Sequence, residues 1–165
     1  MNNQRHLTRI RILLVIVMAG LIVSGLTAIP LQWEVDLLKR LFVDDPSSIA
    51  HAIPGLPEWI AFVHRGLTET FRDFPFLAYG TDWLAFAHVV IAVAFIGPIR
   101  DPVRNVWVIE FGMIACLLLI PMALIFGPLR GIPFGWSLID MSFGAIGLIP
   151  LWLARRSVRH MQSEG

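Results

Sequence analysis

The sequence predicts an all-α membrane protein, a four-transmembrane-helix bundle with an external amphipathic helical segment between helices 1 and 2. Three observations carry that expectation. Hydrophobic residues fill 56% of 165 positions and charged residues only 15%, with a mean hydropathy of +0.72, far more apolar surface than a soluble core needs. Four stretches reach the roughly 20 apolar residues that cross a bilayer core at about 1.5 Å per residue. The segment between the first two has apolar residues at helical spacing with charges between them, the pattern of helices lying on a surface. The expected transmembrane helices cover about 11–29, 82–99, 106–127 and 134–154, and the external cap about 31–80, within a single membrane domain of residues 1–165.

The first run, Ile12 to Ile29, follows Arg5, Arg9 and Arg11 as the core of a secretory leader would. Its 18 uncharged residues exceed such a core, and "LTAIPLQWE" is a poor small-residue cleavage site, so a retained helix is expected. If four helices alternate, Arg5, Arg9, Arg11, Arg100, Arg104, Arg155, Arg156 and Arg159 share one side. Eight basic residues there against five on the other are expected to place both termini in the cytoplasm. The segment ending at Asp82 carries eight of the twelve acidic residues, which agrees with an external position.

Within that segment "LQWEVDLLKRLFV" sets Leu31, Val35, Leu38 and Phe42 on one helical stripe. "DDPSS" reads as a cap with Asp45 before Pro46, and "PGLPE" repeats the device before a helix starting near Pro57. Leu56, Ile60, Val63, Leu67, Phe71 and Phe74 form the second stripe, with His64 at its shoulder as a candidate ligand. "FPFLAYGTDW" supplies aromatic side chains suited to a membrane interface. The second span then runs from Trp83 to Ile99, the third from Phe111 to Leu129 and the fourth from Gly131 to Ala154.

Ionisable groups inside spans are costly and mark functional candidates. His88 lies roughly 9 Å below Asp82 along its helix, and Asp140 roughly 6 Å below Trp136. Both are expected near the external side, where Ser24 and Thr27 of the first helix also fall. Ala85 and Ala92 flank His88, while Gly144 and Gly147 continue the Asp140 face, marking helix contacts. An Asp beside a His in such a layer orients an imidazole, binds a polar head or relays a proton. The alternative is an interhelical hydrogen bond that only fixes register. Glu110, near the cytoplasmic arginines, is expected to pair with Arg104 or Arg100, the alternative being a buried proton carrier. Arg100, Arg104 and Arg130 are candidates for lipid headgroups.

Cys116, the one cysteine, reads as a packing residue and excludes an intramolecular disulfide. No HExxH, CxxC, GxSxG or phosphate-binding glycine loop is present. One His and one Asp make no metal site unless His64 or Asp82 joins them. The expected role is an accessory or assembly subunit, or a binder of a lipophilic ligand beneath the cap. The competing role is a small transporter or an oxidoreductase subunit using haem, a metal or a quinone near His88 and Asp140. The lipid bilayer, a membrane-protein partner or a second copy are the partners expected, and nucleic acid is not.

"FPFLAYGTDWLAFAH", "GPIRDPVRN", "VIEFGMIACLL" and "GPLRGIPFGWSLID" resemble segments of small bacterial integral membrane proteins. The resemblance covers most of the chain after residue 74 and implies a four-helix inner-membrane protein, with no activity, cofactor or catalytic residue attached. "GPIR" and "GPLR" themselves suggest a repeat, yet at an offset of 30 the preceding helices share only Ala85 over Ala115. They are expected instead to punctuate two helices, with Gly97 and Gly127 as C-caps and Pro98 and Pro128 as stops.

Overall fold

The computed structural model describes residues 2–163, with side chains described for 4–163. Among these residues all regular structure is helical: α1 Asn2–Thr27, α2 Leu31–Phe42, α3 Leu56–Asp73, α4 Tyr79–Ala94, α5 Ile96–Arg100, α6 Val106–Leu129 and α7 Phe134–Ser163, with single 3₁₀ turns at Ile49–Ala52 and Pro75–Ala78. Four stretches are long and apolar enough to cross a membrane, Gln4–Thr27, Pro75–Arg100, Val106–Leu129 and Phe134–Ser163. α1 and α7 run past the apolar residues that announce them, because backbone hydrogen bonds continue through Arg5, Arg9, Arg155, Arg156 and Arg159 as readily as through leucine.

The chain divides into two compact units, Met1–Ile22 with Val89–Gly165, and Val23–His88. In the first unit Ile10, Leu14, Phe95, Val108, Ile109, Leu151, Ala154 and Val158 form one buried cluster. It draws on α1, the α4–α5 junction, α6 and α7. The Arg11 Nε donates to the Ile99 carbonyl at 3.0 Å, and the His6 and His160 rings stack at 6.0 Å. The start of α1, the end of α5 and the end of α7 therefore share one end of this unit. α5 leads into a tight loop there: Asn105 Nδ2 donates to the Asp101 carbonyl at 2.9 Å and, less closely, to Gly97 at 3.3 Å.

α6 and α7 form a close antiparallel hairpin. A Cβ placed on Gly144 would stand 2.5 Å from the Cys116 carbonyl oxygen, one on Gly127 2.6 Å from Ser137 Oγ, and one on Gly112 3.0 Å from the Phe95 ring. Small residues thus set the helix separation, as in membrane packing generally. The turn between the helices corrects the expected punctuation. Gly127 and Pro128 lie inside α6, and the left-handed residue is Gly131, φ 68°. Ile132 N–H donates to Gly127 O at 2.9 Å and Gly131 N–H to Pro128 O at 3.2 Å, the paired bonds of a Schellman cap. Gly97 likewise lies within α5, where a Cβ would press on Asn105 Oδ1 at 3.2 Å. Both glycines serve close approach; Pro98 falls in the first turn of α5, where no intrahelical N–H bond is lost, and α6 continues past Pro121 as well as Pro128.

The second unit contains the last turns of α1, the pair α2 and α3, and the first part of α4. Val35 on α2 and Pro57 and Ile60 on α3 are buried, and the expected stripes face inward as far as Phe71. Phe74 is exposed, because α3 ends at Asp73 and the stripe ends with it. Asp45 caps a turn and not a helix: its Oδ1 accepts from Ser47 N–H at 2.9 Å and from Ser47 Oγ at 2.7 Å. Ser48 then caps the short 3₁₀ turn through Ala50 N–H. α3 starts one residue before the expected Pro57, behind Gly55 at φ 79°. A Cβ on Gly25 of α1 would lie 2.7 Å from His88 Cβ and 2.9 Å from the Ala85 carbonyl of α4.

Candidate functional site

His88 stands on α4 with its backbone side pressed against Gly25. Its Nδ1 lies 2.8 Å from the Leu84 carbonyl one turn earlier. A carbonyl only accepts, so Nδ1 carries the hydrogen of that bond, which leaves Nε2 as the nitrogen outside it. Ala85, on the same face, is buried. Ser24 is exposed, and its carbonyl accepts from Thr27 Oγ1 at 3.0 Å within the same helix. The close contact of α1 with α4 is therefore made at Gly25, one residue round the helix from Ser24.

Asp82 is exposed at the start of α4. It borders a shallow groove of about 230 Å³ with Tyr79, Trp83 and Phe86. Tyr79 meets Trp83 edge-on at 5.9 Å, and Trp83 meets Phe86 edge-on at 5.6 Å, an aromatic ladder on one helix face.

His64 is engaged elsewhere. Its Nε2 lies 2.9 Å from Asp36 Oδ1 on α2, with the His and Asp side chains 22% and 40% exposed. The same Oδ1 accepts from Gln32 Nε2 at 3.0 Å, and Gln32 Nε2 also donates to Thr68 Oγ1 at 2.8 Å. Thr68 in turn donates to the His64 carbonyl. Gln32, Asp36, His64 and Thr68 thus tie α2 to α3. Asp36 went unremarked in the sequence because only the pairing of the two helices brings it to His64, 28 positions away.

In the first unit Asp140 is partly buried on α7, one turn before Gly144. Gly144 and Gly147 both face α6 at Cys116, where a Cβ on Gly147 would lie 3.1 Å from Sγ. Asp140 thus continues the α6–α7 seam toward the α6–α7 turn. Glu110 pairs with Arg155 of α7, Nε to Oε1 2.6 Å, the side chains 45% and 18% exposed. This corrects the expected partner, Arg104 or Arg100. Arg104 uses its backbone N–H on Asp101 Oδ1 at 3.0 Å, and its side chain and that of Arg100 are exposed. Arg130 is exposed at the C-cap of α6.

Among the described residues no three His, Cys, Asp or Glu side chains converge as metal ligands. Outside the spans, the two hydrogen bonds from Ser47 hold the Asp45 carboxyl below its usual range. The arrangement supplies an imidazole bonded through Nδ1 at His88, a seam carboxyl at Asp140, and two internally bonded polar joints at His64–Asp36 and Glu110–Arg155. Compared with known proteins, the chain matches no family model, no curated protein and no solved structure.

Proposed function

We propose that the chain is a multi-pass protein of a bacterial inner membrane that works by binding, as an accessory or assembly subunit or as a carrier of a lipophilic ligand, with both termini cytoplasmic. The observation that supports this reading most is how the polar and apolar groups are spent. The polar cluster of α2 and α3 and the Glu110–Arg155 pair close helix joints. What remains outward is apolar and aromatic: Trp33, Leu41, Ile49, Phe62, Phe74, Phe76, Tyr79 and Trp83 in the second unit are all more than half exposed. Such a surface suits acyl chains, a lipophilic molecule or a partner helix.

Native mass spectrometry of the full chain released from nanodiscs tests it. Retention of a second protein, a second copy or a lipophilic small molecule is expected, with loss on changing Phe76 and Trp83 to Ser. A wild-type chain that emerges bare, or one whose bound species survives both substitutions, would refute the binding role.

A second reading, a transporter or oxidoreductase subunit, draws on His88, since a bonded Nδ1–H leaves Nε2 available to a proton, a haem or metal ion, or a quinone oxygen. Asp140, partly buried on α7, is the second residue assigned to this reading. A visible spectrum and metal assay of the purified protein check for a chromophore or stoichiometric metal.

A further inference from the structure

The basic end of the first unit offers a surface unlike the apolar faces. Arg5, Arg9, Arg11, Arg100, Arg104, Arg155, Arg156 and Arg159 gather there, and the acidic groups among the described residues, Asp101 and Glu110, are committed to Arg104 N–H and Arg155. A shallow groove of about 640 Å³ runs along α1, bordered by Gln4, Arg5, Thr8, Arg9, Ile12 and Leu13. These positions recur in pairs every turn, so the groove has two exposed guanidiniums at its polar end and two aliphatic side chains below them. Thr8 Oγ1 donates to the Gln4 carbonyl at 3.0 Å, which leaves the two arginines and the Gln4 amide as the donors facing the groove. On α7 Arg156 lies over the Trp152 ring at 5.7 Å, a pairing suited to headgroup depth.

We infer that this groove binds an anionic phospholipid, its phosphodiester between Arg5 and Arg9 and the start of an acyl chain along Ile12 and Leu13. Two guanidiniums at successive turns match the anionic oxygens of one phosphate. The aliphatic continuation is what a lipid needs and a free anion does not. The inference rests on the membrane reading proposed above.

The test uses full-length protein in mixed phosphatidylcholine and phosphatidylglycerol nanodiscs, with retained lipids weighed by native mass spectrometry. The wild type is expected to retain phosphatidylglycerol selectively. Arg5→Gln and Arg9→Gln should each lower that preference about fivefold and together roughly 25-fold, while Arg65→Gln, an exposed arginine of α3, should leave it unchanged. Circular dichroism verifies that the variants keep their helicity. Unchanged selectivity in the double variant would overturn the site, as would displacement of the lipid by inorganic phosphate, which reveals a simple anion site. A chain that never enters the membrane fraction refutes the membrane reading itself, and one that enters without selecting lipid refutes only this inference.

Discussion

The two units solve the same problem, joining helices, with opposite materials. In the first, branched aliphatic side chains interdigitate around Phe95 at the basic end, and glycines along α6 and α7 bring the two backbones into near contact. In the second, α2 and α3 bury few large side chains and are tied by a hydrogen-bonded cluster of Gln32, Asp36, His64 and Thr68. On the membrane reading proposed above, the difference follows from solvent. Helices apolar on every side gain little from apolar contact in lipid and depend on close packing. An amphipathic pair has a wet face and gains from burying its stripe, so a polar cluster at the stripe's border adds specificity without a large desolvation cost.

The sharpest way to break the first unit is Gly144→Ala. The new methyl meets the rigid Cys116 carbonyl, and a loss of about 3 kcal/mol is expected in thermal unfolding in detergent. Gly66→Ala on α3 of the second unit, where a Cβ meets nothing within 4 Å, should instead stabilise by roughly 0.5 to 1 kcal/mol. If both substitutions behave alike, the contrast in packing is wrong.

Next in size is the ion pair. Arg155→Leu or Glu110→Gln should each cost about 2 kcal/mol, a figure that already allows for the half-exposed glutamate. The double variant should cost clearly less than the two combined, while Glu110→Gln with Arg104→Gln should show no coupling. That cycle separates the observed partner from the one the sequence suggested. Proximity in sequence favoured Arg104 and Arg100, whereas the antiparallel return of α7 puts Arg155 beside Glu110 from 45 positions away.

The same limit governs what else was legible. Length and apolarity located the four long helices, because a bilayer-sized run leaves few alternatives. Helical spacing found the inward stripes of α2 and α3 without naming Asp36 as His64's partner. "GPLR" looked like a stop, but the residue that must take positive φ is Gly131, and Gly127 is small because Ser137 crosses it. A sequence shows that a glycine is present, and only the neighbouring helix shows whether it is needed for conformation or for room.

Smaller effects test the second unit. Asp36→Asn and His64→Leu should each cost about 1 to 2 kcal/mol, appearing as faster hydrogen exchange confined to α2 and α3. Exchange that rises equally in α6 and α7 would dissolve the division into units. The smallest effect concerns Asp45, whose carboxyl is held below its ordinary value by Ser47. The stability this adds is present above the ordinary carboxylate value and is lost as pH falls through the depressed one. Acidification below about pH 4 should therefore loosen residues 43–53 locally in amide exchange, and Ser47→Ala, which removes the hydroxyl bond and keeps the backbone one, should weaken that dependence.

The Gly131 turn carries a consequence for biosynthesis. Only residues 130–133 join α6 to α7, and four residues reach at most about 14 Å, less than half of a bilayer core of about 30 Å. Once α6 has taken its direction, α7 has no length with which to choose another, so a ribosome delivering this chain to a membrane commits both helices as one hairpin. Lengthening that joint with a flexible insert would give the last helix a freedom of orientation that the native chain never offers it.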